Sequence, residues 1–137
     1  MPAGGGLAEA VRRVGDRWSF LVVESLLGGE RRFGEIQEAV HGVASNVLSS
    51  RLKQLEAEGL LVSQPYSDRP VRFTYELTQT GAELAGALRM LASWGARTSG
   101  AGSAHRHDSC GSELDVRWWC ASCGEVVEPG HVEVVWV

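Results

Sequence analysis

Near its C-terminal end the chain carries His107-Asp108-Ser109-Cys110-Gly111 and then Cys120-Ala121-Ser122-Cys123-Gly124. In each block two metal-ligating residues stand three positions apart and a glycine follows. The spacing lets both side chains point into one tight turn. The glycine accepts the positive φ that aims backbone N–H groups at a thiolate sulfur. Two such turns around one ion make a zinc ribbon, and all three cysteines of the protein stand in them. The expected ligands are His107, Cys110, Cys120 and Cys123. A site filled by four protein ligands is closed, hence structural rather than catalytic. His105, five positions before Cys110, competes with His107 for the fourth place, while His41 and His131 have no partner at ligand spacing. Two other uses of the thiols stay open at this point. Cys120 and Cys123 could form a redox pair, or Cys110 could be a lone sensor, and the tail could equally exist without metal.

An odd number of cysteines argues against a secreted disulfide framework and for reduced thiols in a cytoplasm. No apolar run approaches the roughly 20 residues that span a bilayer, and Met1–Gly6 has neither a charged nor an apolar leader region. With 137 residues the chain can hold one domain of ordinary size and a small appendage. Its charge divides the same way. Residues 1–100 carry 11 basic and 11 acidic side chains, whereas 101–137 carry 2 basic and 6 acidic, so the whole net charge of −4 lies in the tail. A tail of that sign is repelled by phosphate, and the overall pI says nothing about the front part. Lys53 is the one lysine among 13 basic residues, a bias that suggests a high-GC bacterial source.

Apolar periodicity orders the front part. Leu7, Val11 and Val14 predict a first helix, and Asp16 can cap a second to about Leu27, with Trp18, Leu21, Val22, Ser25 and Leu26 on one face. An extended Arg31-Arg32-Phe33 leads into a third helix ending near Val40, with Phe33, Ile36 and Val40 inward. Ser45 is the N-cap candidate of a fourth helix, Asn46 to Glu58, whose Leu48, Leu52 and Leu55 form an inner stripe closed by Gly59. Leu60 to Gln64 and Val71 to Leu77 read as a hairpin around a Pro65–Pro70 turn. Thr78 caps a long helix to about Arg97, with Leu84, Leu88, Leu91 and Trp94 on one side. Trp18 and Trp94 are expected to pack in apolar surroundings. Residues 98–104 are a Ser/Gly/Ala-rich linker, Leu114–Trp119 is strand-like, and His131–Val137 is a candidate last strand.

Four helices, a hairpin and a helix, with a tight turn before the fourth helix, make a winged helix-turn-helix. Gly15-Asp16-Arg17-Trp18-Ser19, Arg32-Phe33-Gly34-Glu35-Ile36, the run Asn46–Glu56 and Tyr75-Glu76-Leu77-Thr78-Gln79-Thr80-Gly81 resemble the HxlR-type transcriptional regulators over about residues 8–97. The resemblance implies a dimeric bacterial DNA-binding regulator whose first and last helices build the dimer. It also admits thiol sensing, since some members read electrophiles or oxidants through cysteine.

A recognition helix must be apolar behind and short, polar or basic in front. Here the front is Asn46, Ser49, Ser50 and Lys53, flanked by Arg51. Asn46 can offer a donor and an acceptor to an adenine edge, and the serines permit close approach. Lys53 and Arg51 suit phosphates. At the hairpin tip Arg69 and Arg72 suit a minor groove or a flanking phosphate, Asp68 opposes this unless it pairs with one of them, and Arg31 and Arg32 are further phosphate candidates.

The expected protein is α+β, a mainly helical winged helix-turn-helix with a β-hairpin wing and a small C-terminal β zinc ribbon. Its parts are a flexible start (1–6), the DNA-binding and dimerisation domain (7–97), a linker (98–104) and the ribbon (105–137). The expected function is that of a homodimeric cytoplasmic regulator, a repressor rather than an activator. It would bind a palindromic operator through 45–58 and 65–72, answering to a small-molecule or redox effector. The competing class is a winged-helix protein-interaction module that never contacts bases. It stays open because residues 31–72 carry 6 basic against 5 acidic side chains. Neither a Gly-rich phosphate loop nor a nucleophile elbow nor paired carboxylates argues for an enzyme.

Overall fold

The computed structural model describes residues 5–102 and 105–133. Helix α1 (Gly6–Val14) precedes α2 (Arg17–Leu26), the short strand β1 (Arg31–Arg32), α3 (Phe33–Ala39) and α4 (Ser45–Ala57). Strands β2 (Leu61–Asp68) and β3 (Val71–Leu77) form the hairpin, followed by α5 (Gln79–Ala82) and α6 (Ala85–Ser99). In the tail, β4 (Trp118–Cys120) and β5 (Glu125–Val127) precede a 3-10 turn at Pro129–His131. The chain divides into two compact units between Leu88 and Arg89, inside α6 rather than at the expected 98–104 linker.

The first unit is built around α4. Its Leu48, Leu52 and Leu55 are buried with Val22, Val23 and Leu26 of α2, Ile36 and Val40 of the third-helix region, and Leu60, Leu61 and Leu88. Burying one such leucine contributes roughly 1.5–3 kcal/mol. The sheet order is β1-β3-β2, all antiparallel, so β2 lies at an edge. That position lets Pro65 sit inside a strand, because an edge residue can lack an N–H without orphaning a neighbour.

Several local expectations change. The buried side of α2 is Ser19, Val22, Val23 and Leu26, and Leu21 is exposed. The face rotates because Asp16 caps α2 by accepting the N–H groups of Trp18 and Ser19 and also takes the Ser19 hydroxyl, which allows that serine to be buried. Ala44, not Ser45, is the N-cap of α4. Ser45 is already helical, and its hydroxyl oxygen accepts from the Gln37 side chain at 2.9 Å. The wing strands run further than expected, so the turn shrinks to Arg69-Pro70 (a cis peptide) with an irregularity at Tyr66. Thr78 does cap a helix, but that helix stops after Ala82 and α6 starts anew. Gly81 lies so close to the Leu60 carbonyl that a Cβ there would stand 2.0 Å from the oxygen. Trp18 packs against the core, whereas Trp94 is exposed.

In the second unit β4 and β5 pair antiparallel, with Trp118 opposite Val127 and Cys120 opposite Glu125. Leu114–Arg117, expected as strand, is not paired into a sheet. Val132 and Glu133 carry no strand, and the rest of the expected last strand, 134–137, lies outside the described residues.

Candidate nucleic-acid interface

Helix α4 is held at both ends and on its flank by polar contacts to four different neighbours. At its start, Gln37 donates to the Val43 carbonyl at 3.3 Å and to Ser45 Oγ, fixing the tight turn after α3. On its flank, Arg51 Nε donates to Asp16 Oδ1 at 3.0 Å. Further along, Glu56 Oε1 accepts from the backbone N–H and the hydroxyl of Ser63 at 3.1 and 2.8 Å, joining the helix to the wing. At its end, Arg13 of α1 donates to both the Glu58 carboxylate and the Glu58 carbonyl, at 2.9 and 2.7 Å. A guanidinium on the last carbonyls satisfies one of the acceptors that every helix leaves open and favours the negative end of its dipole.

These contacts use up the flanks of the helix and leave one face to solvent. Asn46, Ser50 and Lys53 are exposed and Ser49 is half-buried. Lys53 has no ion-pair partner among the described residues. The four lie within two helical turns, a length that fits the floor of a major groove. Arg51, expected on the DNA side, is instead committed to Asp16. Burial alone would raise the Asp16 carboxyl, but hydrogen bonds from the Ser19 hydroxyl and N–H, together with Arg51, hold it below the usual carboxylate range. Asp16 thus joins the cap of α2 to the flank of α4 through one side chain.

At the wing, Arg69 and Arg72 are exposed, and neither they nor Asp68 form an ion pair among the described residues. The pairing that would relieve Asp68 is not present among the described residues, and its charge stands at the tip beside theirs. The tip is tied by Ser67, whose hydroxyl donates to the Pro70 carbonyl at 3.0 Å. Arg31 is half-buried on β1 opposite Tyr75. Arg32 lies 4.7 Å over the Tyr66 ring and 4.0 Å from Glu35, so its charge is partly engaged. Sequence reasoning missed Gln37 and Glu56, whose partners lie six to eight positions away across a turn, and Arg13 and Glu58, which meet across 45 positions. Only the cap at Asp16 left a local signal.

The tail folds its two blocks alike. In each, the glycine N–H returns to the carbonyl of the first ligand candidate: Gly111 to His107 at 2.7 Å, Gly124 to Cys120 at 2.8 Å. Both glycines have positive φ, +73° and +69°. His107 Nδ1 is 3.3 Å from Cys110 Sγ, while His105 turns to Ser93 instead. Hydrogen bonds from Ser112 lower the Cys110 thiol, and those from Cys123 and then the Ser122 N–H lower Cys120. Among the described residues, no three His, Cys, Asp or Glu side chains converge on one point. The two pairs are formed, but they are not brought to a common centre.

A family model described as HxlR-like helix-turn-helix matches residues 13–102. The chain belongs to the HxlR-like helix-turn-helix family. It is a DNA-binding transcriptional regulator and not an enzyme. An uncharacterized HTH-type transcriptional regulator of Mycobacterium tuberculosis is 36% identical over 133 residues, 94% of this chain and 84% of that one. The HTH-type transcriptional regulator YodB of Bacillus subtilis is 31% identical over 88 residues, 64% of this chain and 79% of that one. Among solved structures, a proposed transcription factor of Pseudomonas aeruginosa, PA1374, is 32% identical with a TM-score of 0.72, covering 93% of this chain and 89% of that one. Within the HxlR-like family, the matched region of this chain contains no cysteine, because Cys110, Cys120 and Cys123 all follow residue 102. Likeness to the mycobacterial protein and to PA1374 runs on into the tail, since it spans more than nine tenths of the chain.

Proposed function

We propose that this HxlR-like regulator is a homodimeric repressor that binds a palindromic operator through α4 and the wing. The observation that carries the reading is the braced α4 with Asn46, Ser50 and Lys53 left to solvent on one face. Asn46 reads a base edge, Ser49 and Ser50 allow close approach, and Lys53 holds phosphate. Arg69 and Arg72 of the wing, with Arg31 and Arg32, supply flanking phosphate contacts. Arg51 positions the helix from behind. Support for a dimer comes from α6, whose apolar side continues past the buried Leu88 to Leu91 and Trp94, 52% and 60% exposed. A two-fold dimer presents two α4 helices to half-sites one DNA turn apart.

The test is binding to the operator, selected from random duplexes with the full chain. Asn46→Ala with Lys53→Ala should abolish sequence-specific binding and leave the oligomeric state unchanged. Tight operator binding by that variant would sink the assignment of α4, and a protein-interaction module would then be the better account.

For the tail the reading is a structural zinc held by His107, Cys110, Cys120 and Cys123. The donor types, the two matching turns and the lowered thiols suit it. The separation of the pairs, with no three donors converging among the described residues, counts against it. When bound, the metal would fasten the two turns to each other. Thiol sensing is the second reading, favoured by the likeness to YodB, one of whose structures is of its diamide-treated form. Since the winged-helix unit has no cysteine, any such chemistry in this chain is confined to the tail.

A further inference from the structure

A groove of about 380 Å³ lies between the wing and the turn into α3, lined by Arg32, Phe33, Tyr66, Arg72, Phe73 and Tyr75. It brings two of the phosphate candidates, Arg32 of β1 and Arg72 of β3, to one place. Arg72 forms no ion pair among the described residues. Arg32 is held differently, with its guanidinium 4.7 Å over the Tyr66 ring. The strand register explains how that ring comes to be there. Pro65 stands opposite Phe73 and Ser67 opposite Arg72, so Tyr66 has no partner on β3. An extra residue of this kind bends its strand and re-aims a side chain. Because β2 is an edge strand, the irregularity disturbs a single ladder.

A guanidinium offers two kinds of surface. Its face stacks on an aromatic ring, while its edge carries the N–H donors that fit a phosphate. Tyr66 takes the face, so the contact holds the side chain and leaves the donors for an anion. Glu35 does not occupy them either. Its carboxylate is 4.0 Å from Arg32 Nε, beyond hydrogen-bonding distance, and both side chains are more than half exposed. An arginine already held in one geometry loses less freedom when a phosphate arrives. We propose that Tyr66 is a positioning residue for DNA binding, stacking under Arg32 so that the N–H edge meets a backbone phosphate beside the wing. The proposal rests on the reading that the wing meets DNA, and it adds a residue that acts through Arg32 rather than on the DNA itself.

The test is a double-mutant cycle in the full-length protein, read as fluorescence anisotropy on the selected operator over a range of salt. Tyr66→Leu should weaken binding about threefold, the size of an exposed cation–π contact, and leave the slope of log K against log salt unchanged. Tyr66→Phe keeps the ring and should bind as the unsubstituted protein does. Arg32→Ala should weaken binding further and lower the slope by about 1. Adding Tyr66→Leu to Arg32→Ala should cost nothing more, because the ring then has no guanidinium to hold. Losses that multiply in the double variant, equal losses from the Phe and Leu variants, or full affinity in either Tyr66→Leu or Arg32→Ala would overturn the proposal. Should Tyr66→Leu melt early, the Phe variant and the cycle still decide. Asn46→Ala with Lys53→Ala on the same duplex reports on α4 alone, so a failure of that helix and a failure of Tyr66 give different results.

Discussion

Asp16 does three things with two oxygens: it caps α2, takes the Ser19 hydroxyl and holds Arg51 of α4. Its carboxyl is held below the usual range, so the folded state binds its proton less readily than the unfolded chain does. The stabilisation is then fully present above the ordinary carboxylate pKa and is lost as pH falls through the lowered folded value. Asp16→Asn keeps much of the cap but removes the charge. It should lower stability at neutral pH and flatten the acid limb of a plot of urea midpoint against pH. Asp16→Ala should cost about 1–2 kcal/mol at neutral pH through loss of the cap alone. An unchanged acid limb in the Asn variant would show that Asp16 contributes nothing to pH dependence.

For an element the question is which polar residues of α4 face DNA and which hold the helix in place. Lys53 and Arg51 are two positions apart and both basic, and from composition they are interchangeable phosphate ligands. Their surroundings separate them, since Arg51 is 3.0 Å from Asp16 and Lys53 is exposed. Lys53→Ala should weaken binding to operator and non-operator DNA alike and reduce the slope of log K against log salt by about 1. Arg51→Ala should instead lower the thermal midpoint and reduce discrimination between operator and non-operator, with the salt slope nearly unchanged. A full unit of slope lost in Arg51→Ala would place that side chain on phosphate after all.

Over the whole molecule, a winged-helix unit with a proper core is joined to a tail that has little. Among the described residues the buried apolar core lies between Val14 and Leu88, with none in the tail. A segment of that kind gains from a cross-link that holds one structure, and the proposed zinc site would supply one. Purified under reducing conditions, the full-length protein should contain one zinc per chain, with chelation unmasking three reactive thiols and leaving the winged-helix melting transition in place. Metal-free protein with freely reactive thiols would move the case to thiol chemistry, to be followed by operator binding with and without oxidant.

The order of elements was legible because it rests on local rules. Leucines at four- and three-residue spacing define the inner stripe of α4, Asp16 caps, Gly59 closes, and the two glycines after the cysteine blocks take positive φ. The motifs at 15–19, 32–36, 46–56 and 75–81 were enough to place the chain in its family. Other features were decided by contacts between distant parts of the chain. Glu58 at the end of α4 is held by Arg13 across 45 positions, and α5 needs a glycine at 81 because it runs against the Leu60 carbonyl. Arg51 is tied to the scaffold because the cap of α2 brings a carboxylate to it across 35 positions. Periodicity can say which face of a helix is polar, but not which of those polar groups a neighbouring element will claim. That choice depends on distances that exist only once the chain has folded.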